Sequence, residues 1–451
     1  MTQKAYRAQI FHLLDDPQVC ESAYQYFKDG LLIVEDGHVK AVGPYRTLAK
    51  TLRLSTKIQH YKNHLIVPGF IDTHIHFPQV DIIGSYGRQL LDWLQDYTFP
   101  AEMAFSDPKV CKETARFFVK ELLRNGTTSA LVFGTVHAGS ADALFLEAQK
   151  KNMRLIAGKV LMDRGAPKGL LDGKDLGRAA TRRLIKKWHG TDRLGYAITP
   201  RFAPTSTPEQ LAMAGALKAE NPSVHVHTHM CENKDEIKYV GELFPDSTDY
   251  LSVYEKHGLV GDKTVLAHGV HLNTSMCKRI SASGAAISLC PTSNMFIGSG
   301  LFNLSQLRRH KVRHALGTDI GGGTSFSLLT TMNAAYSICQ LRDLSLSSMD
   351  AFYMATLGGA KVLGMDKYVG NFETGKEADF VVMDLKATPL IERRLKTAKR
   401  MKAMLFAIMI MGDDRMIAET FIMGRSVYKK KSNKTVTPAK RSVEPGPRKL
   451  D

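Results

Sequence analysis

The chain has 451 residues, 44% of them hydrophobic, and a formal net charge of +17. That composition suits a globular protein with a large core, and the length allows two or three domains or one large barrel with additions. The absence of any run of eighteen uncharged apolar residues, and the lack of a sustained apolar stretch in MTQKAYRAQIFHLLDDP, argue against a membrane span and a secretory signal.

In chain order, residues 1–67 alternate short β-like runs with turns: AQIFHLL, then GLLIVEDGHVKAVG with Asp36-Gly37 as a hairpin signal, then HLIVPG. A small antiparallel sheet is expected. From about residue 68 the rhythm changes. Apolar strands are predicted at 70–77, 127–134, 154–163, 194–202, 224–230, 264–270, 285–292 and 314–320, separated by stretches of helical spacing. Eight strands alternating with helices over residues 68–377 is the pattern of an α/β protein built as a (β/α)8 TIM barrel. A doubly wound open sheet is the competitor, but no Gly-x-Gly-x-x-Gly follows the first strand. Strand-turn-strand patterning returns over 378–428, in ADFVVMDL and AETFIMGRSVYK, so the two flanks are expected to meet as one composite β-sandwich domain.

The positive charge is concentrated in two places. ERRLKTAKRMK at 392–402 has helical spacing with its charges spread around the axis, as on a solvated surface helix. Residues 429–451 hold eight Lys or Arg against two acids and include three prolines, so this tail cannot bury a core and is expected to be disordered. Neither run carries interleaved aromatics for base stacking, which disfavours nucleic acid as a partner. The six cysteines are scattered without a Cys-x-x-Cys pair, which fits reduced thiols in a cytoplasmic protein.

In such a barrel, function collects where strands end and the following loops begin. That filter retrieves His74 and His76, which share a strand face because they are two residues apart, then Arg201, His229, His268 and Asp319. Three histidines and a carboxylate at one mouth are donors that zinc or iron accepts, with room left for water. An ion on His74, His76, His229 and Asp319 would lower the pKa of that water from about 15.7 toward about 7. Glu232, three residues after His229, suits a general acid and base. Asp319 would take a proton from the water, and His268 would polarise the group under attack. His225 and His227 lie deeper on the strand of His229 and read as structural. The arrangement fits hydrolysis at an amide-like or amidine-like carbon.

PGFIDTHIH, HTHMCE, LAHGVHL and GTDIGGG together resemble the metal-dependent amidohydrolase superfamily over about residues 5–428. More narrowly, FPQ, GSYGRQLLDWLQDYTFPAE (84–102) and TPRFAPT (199–205) resemble the guanine deaminase family. This resemblance implies deamination of guanine to xanthine and ammonia, with zinc on His74, His76, His229 and Asp319. It further implies that Gln79, Arg201 and Phe202 hold the purine, with His76, His229, Glu232 and Asp319 also against it. Arginine rather than lysine in TPRF excludes a bridging carbamate, so one metal ion per subunit is expected. A homodimer is expected by the same resemblance. The rivals are deamination of another purine, pyrimidine or triazine ring, and a non-catalytic scaffold; the latter sits poorly with a full set of ligands and Glu232.

Overall fold

The structure is a computed structural model that describes residues 2–20, 22–86 and 89–431. Four strands open the chain: β1 (Gln3–Leu13), β2 (Tyr24–Glu35), β3 (His38–Pro44) and β4 (Ile58–Pro68). The β2–β3 turn is the Asp-Gly pair, with φ of 49° at Asp36 and 87° at Gly37. Both residues are left-handed there, as a two-residue hairpin matching the strand twist requires.

The barrel strands follow as β5 (Phe70–His76), β6 (Thr127–Phe133), β7 (Arg154–Gly158), β8 (Val160–Leu161), β9 (Leu194–Pro200), β10 (His225–Met230), β11 (Thr264–His268), β12 (Ala286–Leu289) and β13 (Arg313–Leu316). The chain ends its described part with β14 (Phe380–Asp384), β15 (Ile417–Ile422) and β16 (Arg425–Lys429). The expected basic tail loses Lys429 to β16, and residues 432–451 lie outside the described residues.

The flanking strands form one sheet in the order β16-β15-β14-β4-β1-β2-β3. It is mixed rather than antiparallel throughout, because β1 and β4 run parallel; the β2–β3 hairpin and the helical residues 45–51 between them serve as the crossover that parallel strands need. In the sheet, β4 and β14 separate β1 from β15. Flat strands would put them about 14 Å apart, yet the rings of Tyr6 and Phe421 lie at 5.1 Å. The sheet therefore folds over on itself. Tyr6, Ile10, Val34, Phe380, Val382 and Phe421 fill the space between its layers, which is the composite sandwich read from the sequence.

The second sheet runs β5-β6-β7-β9-β10-β11-β12-β13, with β8 extending the third position against β9, and these pairs are parallel. Across the remaining gap, Asp319 N–H donates to His74 O at 2.9 Å and His76 N–H to Ile320 O at 3.0 Å. The barrel is thereby closed. Inside its lower end, Ile71, Leu131, Ile156, Val265 and Ala315 pack against Ala360 and Leu363, so the barrel interior is plugged there, opposite the C-terminal ends of the strands. Ile75 points outward into the layer of helices with Phe118 and Leu122, and its neighbours His74 and His76 point in.

The surface basic run is helical over Pro389–Thr397 and breaks before a second helix, Met401–Met411. Among the described residues no helix is long and apolar enough to cross a membrane.

Barrel and sandwich are tied together beneath the site by Arg193. Its guanidinium donates to Asp379 Oδ2 at 2.6 Å and to Glu377 Oε2 at 2.5 Å, and Nη1 donates to Asn152 O at 2.6 Å. The Asp379 side chain is 1% exposed. Removing one partner of a buried pair leaves the other charge uncompensated, at a cost of about 3–5 kcal/mol. Arg193→Ala should therefore lower the thermal unfolding midpoint by about 5 °C or more. An unchanged midpoint would mean that the pair contributes no more than a solvated surface contact.

Candidate active site

The strand ends deliver their side chains through distorted backbone. His268, the last residue of β11, has φ of 72°, and Cys231 and Asp319, in the loops after β10 and β13, each have φ of 52°. Left-handed non-glycine residues cost about 1–3 kcal/mol each and persist only where the surroundings hold them. Here they turn His268, Glu232 and Asp319 toward one point. The strand of β13 stops at Leu316, so Asp319 is presented by this turn rather than by a strand running to residue 320.

Four of the expected ligands converge. One donor atom from each of His74, His76, His229 and Asp319 lies within 4.8 Å of the others. Asp319 Oδ1 is 3.1 Å from His74 Nε2 and 3.3 Å from His76 Nε2, and the Nε2 atoms of His76 and His229 are 3.1 Å apart. His229 Nδ1 faces the carbonyl oxygen of Arg201 at 2.7 Å; an oxygen that only accepts fixes the proton on Nδ1 and leaves Nε2 as a lone pair. Burial lowers the pKa of His229 well below its ordinary value and that of His76 to about 3, so both rings are neutral. His74 Nε2 is buried beside the Asp319 carboxylate, and His76 Nδ1 is buried without a hydrogen bond. Neutral imidazole nitrogens packed around a carboxylate could hold a metal ion, and three nitrogens with one oxygen suit zinc or iron. His268 and Cys290 make an overlapping set with His74 and Asp319, but burial drives the Cys290 thiol well above its ordinary pKa, away from the thiolate that binds metal.

Glu232 and His268 sit beside this group. His268 Nε2 is 3.3 Å from Glu232 Oε2 and 3.7 Å from Asp319 Oδ2, while its Nδ1 is 2.9 Å from Asn294 Oδ1. Ser299 Oγ donates to Glu232 Oε1 at 2.9 Å. The local sequence explains the placement: Asn233 caps helix Lys234–Leu243, and Glu236 reaches back in a capping box. Glu236 Oε2 thereby accepts the backbone N–H of Glu232 at 2.8 Å. Burial, with the charge of Asp319, pushes the Glu232 carboxyl up to about 8.

These groups form one wall of a pocket whose other walls include Gln79, Arg201, Phe202, Trp93 and Ile297, apolar faces with a few convergent polar groups, as small-molecule sites are built. Every residue singled out from the sequence reaches this region; His74 lies behind His76 and does not line the cavity. Three supports escaped the sequence reading, Asn294, Ser299 and Glu102, while His227 has the structural role read for it. His227 Nε2 is paired with His74 Nδ1 at 2.8 Å, so it orients the His74 ring, whereas His225 bonds the Leu363 carbonyl at the barrel floor at 3.1 Å. Glu102 bonds both Arg201 and Gln79. Its only signal was its place at the end of the 84–102 stretch.

A model of the amidohydrolase family matches residues 65–427. The chain belongs to the amidohydrolase family. It is 50% identical over 432 residues to the guanine deaminase of Escherichia coli, covering 95% of this chain and 98% of that one. The solved structure of the Escherichia coli enzyme superposes with a TM-score of 0.93 at 49% identity over 95% of this chain and 100% of that one. A guanine deaminase of C. acetobutylicum, solved with guanine in its active site, gives a TM-score of 0.86 at 28% identity over 95% of this chain and 100% of that chain. This amidohydrolase thus spans almost the full length of relatives that share its architecture.

If the four side chains hold a metal, His229→Ala should weaken divalent metal binding by more than about 100-fold, and His227→Ala, which removes only the partner of His74, by about 10–100-fold. Competition with a metallochromic chelator reads both. Equal, small effects would show that the ion binds elsewhere.

Proposed function

We propose that the protein hydrolyses guanine to xanthine and ammonia with one zinc ion per subunit, working as a cytoplasmic homodimer. The observation that carries this reading is a pocket with Glu232, His268 and Asp319 on one wall and Gln79, Arg201 and Phe202 on another. The near full-length relatives named guanine deaminase support the substrate. Six unpaired cysteines, five of them buried, support a reducing compartment. Residues 68–377 would be the catalytic unit, and the segments 1–67 and 378–428 its support.

A divalent ion on His74, His76, His229 and Asp319 would supply Lewis acidity and bring the pKa of a water toward neutrality. The protein side chains do the remaining work. Arg201 donates to the ring carbonyl, Gln79 offers both donor and acceptor, and Phe202 gives the ring a face. Asp319 accepts the proton of the attacking water. The Glu232 carboxyl, pushed up to about 8, holds a proton near neutral pH and delivers it to the ring nitrogen beside C2. His268, against both carboxylates, polarises the centre under attack. As the tetrahedral carbon collapses, the proton held on Asp319 passes to the C2 amine, which leaves as ammonia, the remaining hydroxyl proton returns to Glu232, and the water oxygen stays as the new carbonyl.

Zinc-loaded protein should convert guanine to xanthine with one ammonia released per turnover, followed by absorbance. Turnover of a different heterocycle but not guanine would overturn the substrate. Glu232→Gln should retain the metal and lose at least about 100-fold in kcat; a variant at wild-type rate would remove the proton-transfer role.

A further inference from the structure

The residues from Gln89 onward in the 84–102 stretch close the pocket through Leu90, Trp93 and Leu94, and the stretch ends on a residue the mechanism above does not use. Glu102, on helix Phe99–Met103, is 0% exposed. Arg201 Nη1 donates to its Oε1 and Oε2, both at 2.8 Å, and the Arg201 guanidinium lies 5.7 Å from the ring centre of Phe99 on the same helix. Gln79 Nε2 donates to Glu102 Oε1 at 3.2 Å, while Gln79 Oε1 accepts the backbone N–H of Gly321 at 3.1 Å.

A carboxylate can only accept. It therefore fixes which end of the Gln79 amide faces it. Reversing that amide would set oxygen against the Glu102 carboxylate and an NH₂ against the N–H of Gly321, two mismatches in a dry site. The same carboxylate holds the guanidinium of Arg201, both of its oxygens accepting charge-assisted hydrogen bonds from Nη1. Donor and acceptor positions in the purine pocket are thus set from behind by one buried acid.

Resting on the guanine reading, we propose that Glu102 is a positioning residue that, through Arg201 and Gln79, makes the pocket select purines with a carbonyl at C6 over those with an amine there. It touches no reacting atom. The comparison substrate is 2,6-diaminopurine, which keeps the C2 amine but replaces the carbonyl acceptor with a donor. A site built to hydrogen-bond one group rejects the analogue that leaves its polar groups unpaired.

The test measures kcat and KM for both purines, with zinc content, in wild type, Glu102→Asp and Glu102→Gln. Glu102→Gln should raise the KM for guanine about tenfold or more, leave kcat within about threefold, and lower the preference for guanine over 2,6-diaminopurine by about tenfold or more, with zinc unchanged. Glu102→Asp, which keeps the charge on a shorter arm, should fall between; it carries the test alone if Glu102→Gln does not fold. Unchanged KM and preference would overturn the proposal, as would a loss of kcat and zinc with KM unchanged, which marks a merely structural residue. Failure of the wild type to turn over guanine would overturn the functional reading and this one with it; normal wild-type turnover with unaffected variants would overturn this one alone.

Discussion

The Nε2 atoms of His76 and His229 lie 3.1 Å apart, with Asp319 Oδ1 3.3 Å from the first, and all three side chains are buried. His229, its Nδ1 held by the Arg201 carbonyl, offers only a lone pair there, and the neutral ring of His76 and the carboxylate of Asp319 face the same point. A cation reconciles them. The closed barrel, the plug at its lower end and the left-handed turns at His268 and Asp319 all serve to keep these donors facing each other.

Around that centre the proposed function separates proton handling from substrate recognition. Glu232, Asp319 and His268 share one wall, where burial and the charge of Asp319 raise the pKa of the Glu232 carboxyl. On the other wall, Arg201 and Gln79 are organised by Glu102. The two groups come from different places: the first from the ends of β10, β11 and β13, the second from loops after β5 and β9. Loop changes on the recognition wall can therefore alter the substrate while leaving the hydrolytic wall intact, as the fold permits.

Much of this was legible in the sequence because it follows from periodicity. The 2-residue spacing of His74 and His76 set their common face, and eight strands separated by helices set the barrel. What lay beyond local pattern was pairing across the chain. The parallel partnership of β1 with β4 is hidden when only hairpins can be read. His225 and His227 share a strand face, yet one bonds the barrel floor and the other a metal ligand; alternation cannot distinguish them. Glu102 lies 99 positions from Arg201, and an isolated acid on a short helix carries no local mark of the guanidinium it meets.

Anomalous diffraction at the zinc and iron edges from crystals of the full chain tests the central claim most directly. The account predicts one zinc peak per subunit, about 2.0–2.2 Å from nitrogens of His74, His76 and His229 and an oxygen of Asp319. A peak bound by other residues, or a metal-free site in protein that turns over guanine, would contradict it.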